Sequence, residues 1–183
     1  MNALRLVVNV LATINTWVLR AGREIAWVAI AVMVAVILVQ VFYRYALNAA
    51  LPWPEEAARA LMIWMMALVA PSAYRWGGFV SIGTIRDALP ERARQVLTLL
   101  MLLIVAAILF VLLQQSIKHF NGGFLFRSSS LKIPLAWIYL AMSVCFGLMM
   151  SVNTELLLRV VGQILGKAED FPDPVPPRVI TAE

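Results

Sequence analysis

The stretch Val96-Leu-Thr-Leu-Leu-Met-Leu-Leu-Ile-Val-Ala-Ala-Ile-Leu-Phe-Val-Leu-Leu113 carries no charge and a single hydroxyl, Thr98. A helix of this length rises about 27 Å, close to the ~30 Å hydrocarbon core of a bilayer. It is apolar on every side, so it belongs either in the core of a large protein or across a membrane. A chain of 183 residues is too small to bury it, which leaves the membrane.

The rest of the composition agrees. Of the residues, 62% are hydrophobic and 14% charged, against roughly 45–50% and 25% in an ordinary soluble domain. A soluble enzyme or binding domain is excluded. Lys and Arg outnumber Asp and Glu by 15 to 10, a formal net charge of +5. The basic residues lie between apolar runs, so lipid headgroups are the expected partner and nucleic acid is not. Cys145 and His119 are the only residues of their kinds; they allow no intrachain disulfide and no metal or haem site built from several such ligands. No phosphate-binding glycine loop, HExxH or GxSxG occurs, so no enzyme activity is expected. Asn9, Asn15 and Arg20 interrupt the first apolar stretch, which argues against a cleavable signal and for its retention.

Three further runs match the first, and together they predict an all-α integral membrane protein with spans at 25–43, 57–74, 96–113 and 134–152. Helices satisfy their own backbone groups where lipid offers no partners. Arg59 and Pro71 lie near the ends of the second span, where both are tolerated. Ahead of the first span, Asn2, Arg5, Asn9, Thr13, Thr16 and Arg20 recur every three or four residues opposite Leu4, Val7, Val8, Leu11 and Val18. This predicts an amphipathic helix over 1–23, suited to the membrane surface or to packing on a partner. A similar pattern, Val80, Ile82, Ile85 and Leu89, leads to a helix start at Pro90-Glu91. Residues 1–166 form one membrane domain. The last span continues through Glu155 and Arg159, spaced i,i+4, and the proline-rich 167–183 reads as a disordered tail.

Basic residues set the orientation. Arg5, Arg20 and Arg23, then Arg75, Arg86, Arg92 and Arg94, then Arg159, Lys167 and Arg178 fall on one side. Arg44, Arg59, Lys118, Arg127 and Lys132 fall on the other. Twice as many on the first side predicts that both termini are cytoplasmic.

The middles of the spans are almost bare of polar groups, so this chain is not expected to hold a transport site by itself. Small residues repeat every four positions at Ser143, Gly147 and Ser151, and at Ala31 and Ala35. These faces suit close helix packing, within the chain or against a partner. The densest polar cluster joins Tyr43-Arg44-Tyr45 to Trp53-Pro54-Glu55-Glu56-Ala57-Ala58-Arg59. Pro54 and the two glutamates suit a helix start, and the aromatics suit an interface belt. Arg44 is placed to bridge to Glu55 or Glu56 and clamp the first helix on the second.

That cluster, with Ala73-Tyr74-Arg75-Trp76-Gly77-Gly78 and Ser129-Ser130-Leu131-Lys132-Ile133-Pro134-x-x-Trp137-x-Tyr139, resembles the small membrane subunit of TRAP transporters, the DctQ-like family. The likeness covers roughly residues 20–165, and Phe79 stands where family members often carry His. The resemblance implies a non-enzymatic subunit of the bacterial inner membrane that braces the scaffold of a large membrane subunit. The system would take up an organic acid, usually a carboxylate, on a sodium gradient, with substrate delivered by a periplasmic binding protein. Sodium would sit on the large subunit, and no cofactor on this chain; a bound phospholipid is compatible with it. The outer loops 44–56 and 114–133 would help dock the binding protein, the second made flexible by Gly122-Gly123 and Ser128-Ser129-Ser130. The competing reading from size alone is a self-sufficient four-helix channel or exporter.

Overall fold

The computed structural model describes residues 2–77, 90–165 and 171–172. Four helices follow one another: α1 (Asn2–Ala46), α2 (Trp53–Arg75), α3 (Glu91–Gly122) and α4 (Ala136–Leu165), with a short 3-10 turn, Gly123–Leu125, closing α3. All four are long and apolar enough to cross a membrane. Pro54 and the acidic pair Glu55 and Glu56 occupy the first turn of α2, and Pro90 immediately precedes α3. Pro71 lies inside α2, buried, one turn before the helix ends. There it removes only the backbone bond to Ala67.

One helix stands where the periodicity separates a surface helix over 1–23 from a span over 25–43. The 45 residues of α1 run unbroken, about 67 Å of rise. Arg23-Glu24-Ile25 contains nothing that stops a helix. The buried face carries Val8, Asn15, Leu19 and Ala26, near the seven-residue repeat of a packed helix. Val7, Val10, Ile14, Trp17 and Val18 point outward. Exposure therefore extends well beyond the polar stripe, onto apolar residues.

The packing is open rather than ring-like. α4 touches α1, α2 and α3, α1 and α2 pack on each other, and α3 packs chiefly on α4. Ala136, Ala141, Val152, Asn153 and Glu155 of α4 are fully enclosed. The small-residue stripes are used only in part. Ser151 meets α1, but a side chain at Gly147 would meet nothing within 4 Å, and Ala31 and Ala35 are exposed. Beyond α4, Phe171 of the expected tail is 2% exposed. Its ring occupies the space beside Gly162, where a Cβ would come within 2.8 Å of it. Gln163 donates to the Phe171 carbonyl at 2.8 Å, and Arg159 donates to that of Pro172. The rest of the tail, Phe79 and the 80–89 pattern lie outside the described residues.

The loop between α3 and α4 is a fixed turn rather than the flexible one its glycines and serines suggest. The Ser128 amide donates to the Ile133 carbonyl at 2.9 Å, the Leu135 amide to that of Phe126 at 3.0 Å, and Lys132 takes the left-handed conformation at φ 56°. A Cβ on Gly123 would lie 2.7 Å from the Ala136 backbone, whereas one on Gly122 would meet nothing within 4 Å. Gly123 is therefore a close-approach residue. Gly123→Ala is expected to cost about 1–3 kcal/mol and Gly122→Ala to be neutral or mildly stabilising, read by unfolding in detergent. Equal effects would contradict the close approach.

Candidate functional site

Polar side chains of three helices, and a backbone carbonyl of the fourth, converge on the C-terminal half of α4. Glu155, with 0% exposure, accepts from Arg75 Nη2 of α2 at 2.7 Å, from Asn15 Nδ2 of α1 at 2.8 Å, and from Arg159 one turn on at 2.9 and 3.1 Å. Asn15 Oδ1 accepts from Ser151 Oγ at 2.7 Å. Arg75 also donates to Thr16 Oγ1 at 2.7 Å and to the Ala12 carbonyl at 3.2 Å. Two residues before Glu155, Asn153 accepts from the Tyr74 hydroxyl of α2 and donates to the Leu102 carbonyl of α3 at 3.2 Å. Every helix is thus tied to one short stretch of α4.

Energetically these ties are unequal. An interhelical hydrogen bond between neutral groups in a membrane protein averages about 0.6 kcal/mol and reaches about 1.7. Removing one partner of a buried ion pair costs about 3–5 kcal/mol, because the other charge is left unmet. Arg75–Glu155 is the dominant contact. Arg23 lies beside it, its guanidinium 4.8 Å from the Trp76 ring centre and donating to Ser72 Oγ at 3.3 Å.

A second polar belt lies at the other end. Glu55 pairs with Arg59 along α2 at 3.0 Å, both exposed, and such a pair contributes little. Glu56 accepts from the backbone amides of Ser130 and Leu131 at 3.0 and 3.2 Å, clasping the α3–α4 turn onto α2. Arg44 forms no bridge to either glutamate; its guanidinium lies over its own neighbour Tyr45, 6.0 Å from the ring centre. The clamp at this end is Glu56, and its partner is a backbone. Trp53 is partly exposed at the head of α2, and Trp64 lower down donates to the Trp137 carbonyl at 3.2 Å. From Ala136 to Glu155, and from Pro54 to Arg75, the helices rise roughly 30 Å. The two polar belts stand one hydrocarbon core apart.

Between the belts the chain is apolar, and no cluster of metal-ligating side chains occurs among the described residues. A family model, described as tripartite ATP-independent periplasmic transporters, DctQ component, matches residues 33–163. That range holds α2, α3, the Glu56 clasp and the Arg75–Glu155–Arg159 cluster. The chain belongs to the DctQ family. A curated relative of this DctQ chain, the sialic acid TRAP transporter small permease protein SiaQ of Vibrio cholerae, is 26% identical over 136 residues. The alignment covers 74% of this chain and 79% of that protein. DctQ proteins are transporter subunits and not enzymes. Such small permeases work with a large membrane subunit and a binding protein as a tripartite system. With four spanning helices, this is a multi-pass bacterial membrane protein. A self-sufficient channel or exporter is set aside.

Of the residues singled out by sequence, Arg75 lies in the Glu155 cluster, while Glu55, Glu56 and Arg59 lie at the opposite end and Arg44 stays outside both clusters. The i,i+4 pairing of Glu155 with Arg159 is formed. Asn15, Tyr74 and Asn153 are partners that periodicity does not disclose. A usable signal existed: Arg75 and Glu155 are opposite charges closing two apolar runs on the same side. Arg75→Met is expected to destabilise the DctQ subunit by about 3–5 kcal/mol and Tyr74→Phe by under about 2 kcal/mol, measured by reversible unfolding in micelles. Equal losses would show that the ionic contact is not the principal lock.

Proposed function

We propose that this DctQ subunit is an immobile brace for the scaffold of its large membrane partner, in a sodium-driven system that takes up an organic acid, a carboxylate, delivered by a periplasmic binding protein. The observation that carries this reading is where the ionisable groups are spent. Glu155 is held by two arginines and an amide, and no Asp, Glu, Lys or Arg lies within 60–74, 95–117 or 133–154. A carrier binds and releases cargo and ions at mid-depth; groups locked in charge-assisted bonds at one end cannot do so. Sodium and substrate then belong to the large subunit. The acid is supported by the relative's name, which specifies a sialic acid.

The faces left unpacked around Ala31, Ala35 and Gly147 are the surfaces offered to that subunit, since small residues permit close helix approach. The Glu155 cluster carries one negative against two positive charges. With the basic loops on the same side, it favours both termini in the cytoplasm and the inner membrane as location. Lipid headgroups are the partners of those loops.

Reconstitution tests the proposal. An inward sodium gradient should drive uptake of an acidic sugar such as sialic acid, or of another carboxylate, only in liposomes that contain this chain and its large subunit and are supplied with the binding protein. Transport by this chain alone, or by the large subunit at full rate without it, would overturn the reading.

A further inference from the structure

The turn after α3 presents an unusual surface. Phe124, Leu125 and Phe126 are consecutive and all exposed, Leu125 at 84%. Ile133 and Trp137 are exposed beside them. Between them stand Arg127 and Lys132, both exposed, and no acidic residue occurs from 120 to 137. The nearest carboxylate, Glu56, is committed to the amides of Ser130 and Leu131. These residues cannot swing away. The Phe126–Leu135 and Ser128–Ile133 backbone bonds hold the turn, and Gly123 seats it against Ala136.

We infer that this turn is an anchor seated in the membrane interface at the end opposite Glu155, with Phe124, Leu125 and Phe126 in the acyl region and Arg127 and Lys132 on phospholipid phosphates. Its depth follows from the helices. Ala136, against which the turn packs, lies about 28 Å of helix rise from Glu155, so it stands at the opposite edge of the hydrocarbon core. A cationic, aromatic-rich and acid-free surface is the composition of an interfacial element. A soluble partner that comes and goes would leave three adjoining apolar side chains in water between encounters, which proteins avoid; lipid covers them continuously. This inference is independent of the proposed bracing role, because it concerns only what lies against the turn.

Spin-label accessibility decides it. In a Cys145→Ser background, Leu125→Cys, or Phe124→Cys should the first not fold, is labelled in the complex with the large subunit, in nanodiscs of phosphatidylethanolamine and phosphatidylglycerol. Ser129→Cys, exposed on the same turn, is the reference. The anchor predicts frequent collisions with oxygen and loss of collisions with a water-soluble nickel chelate relative to Ser129→Cys. Nickel collisions equal to the reference would overturn it, as would nickel protection that appears only when the binding protein is added. Low accessibility to both reagents would mean that the large subunit, not lipid, covers the turn, and would also overturn it.

Discussion

Glu155 is sealed from solvent, and a carboxylate in that position stays an anion only when cations and hydrogen-bond donors surround it. Arg75 and Asn15 supply that from two other helices and Arg159 from its own. The requirement is geometric as well as electrostatic. Arg75 must end α2 at the depth where α4 carries Glu155, and α1 must pass with Asn15 and the Ala12 carbonyl facing inward. An apolar exterior cannot impose such a register, because lipid accepts the outward side chains as readily as a neighbouring helix does. One buried charge therefore sets the relative height of three helices, and Asn153 two residues earlier brings in the fourth.

The same physics explains what could be read from the chain. Four apolar runs are visible because the bilayer demands about 20 uncharged residues, and the helix starts at Pro54 and Pro90 follow from local chemistry. Which side of each helix faces its neighbours is not visible. In α1 the apolar Val7, Ile14, Trp17 and Val18 are as exposed as Asn9, Thr13 and Arg20, while the polar Asn15 is buried with Val8, Leu19 and Ala26. Hydrophobic periodicity reports contrast with water, and that contrast is absent in lipid. The boundary between a surface helix and a span fails for a similar reason: polar spacing changed near Arg23, but helix propensity did not.

The end opposite Glu155 follows a different logic. Its clamp is a carboxylate on backbone amides, and its loop is shaped by Gly123 and by the left-handed Lys132. Glycine and serine there read as flexibility, although Gly123 serves close approach. Arg44 pointed to an ion pair because its charge matched that of Glu55 and Glu56. Nearer partners, Arg59 and the Ser130–Leu131 backbone, satisfy those glutamates instead. Charge complementarity alone did not decide; reach did. With one end locked by ions and the other clasped by backbone, the spans between them carry almost no Asp, Glu, Lys or Arg, which suits the bracing role proposed above.

Arg75 and Glu155 hold the helices as a coupled pair. A double-mutant cycle of Arg75→Met and Glu155→Leu, read by reversible unfolding in micelles, measures that coupling directly. The expected non-additive energy is about 1–3 kcal/mol, as for groups in one buried network. Additivity within about 0.5 kcal/mol would contradict it.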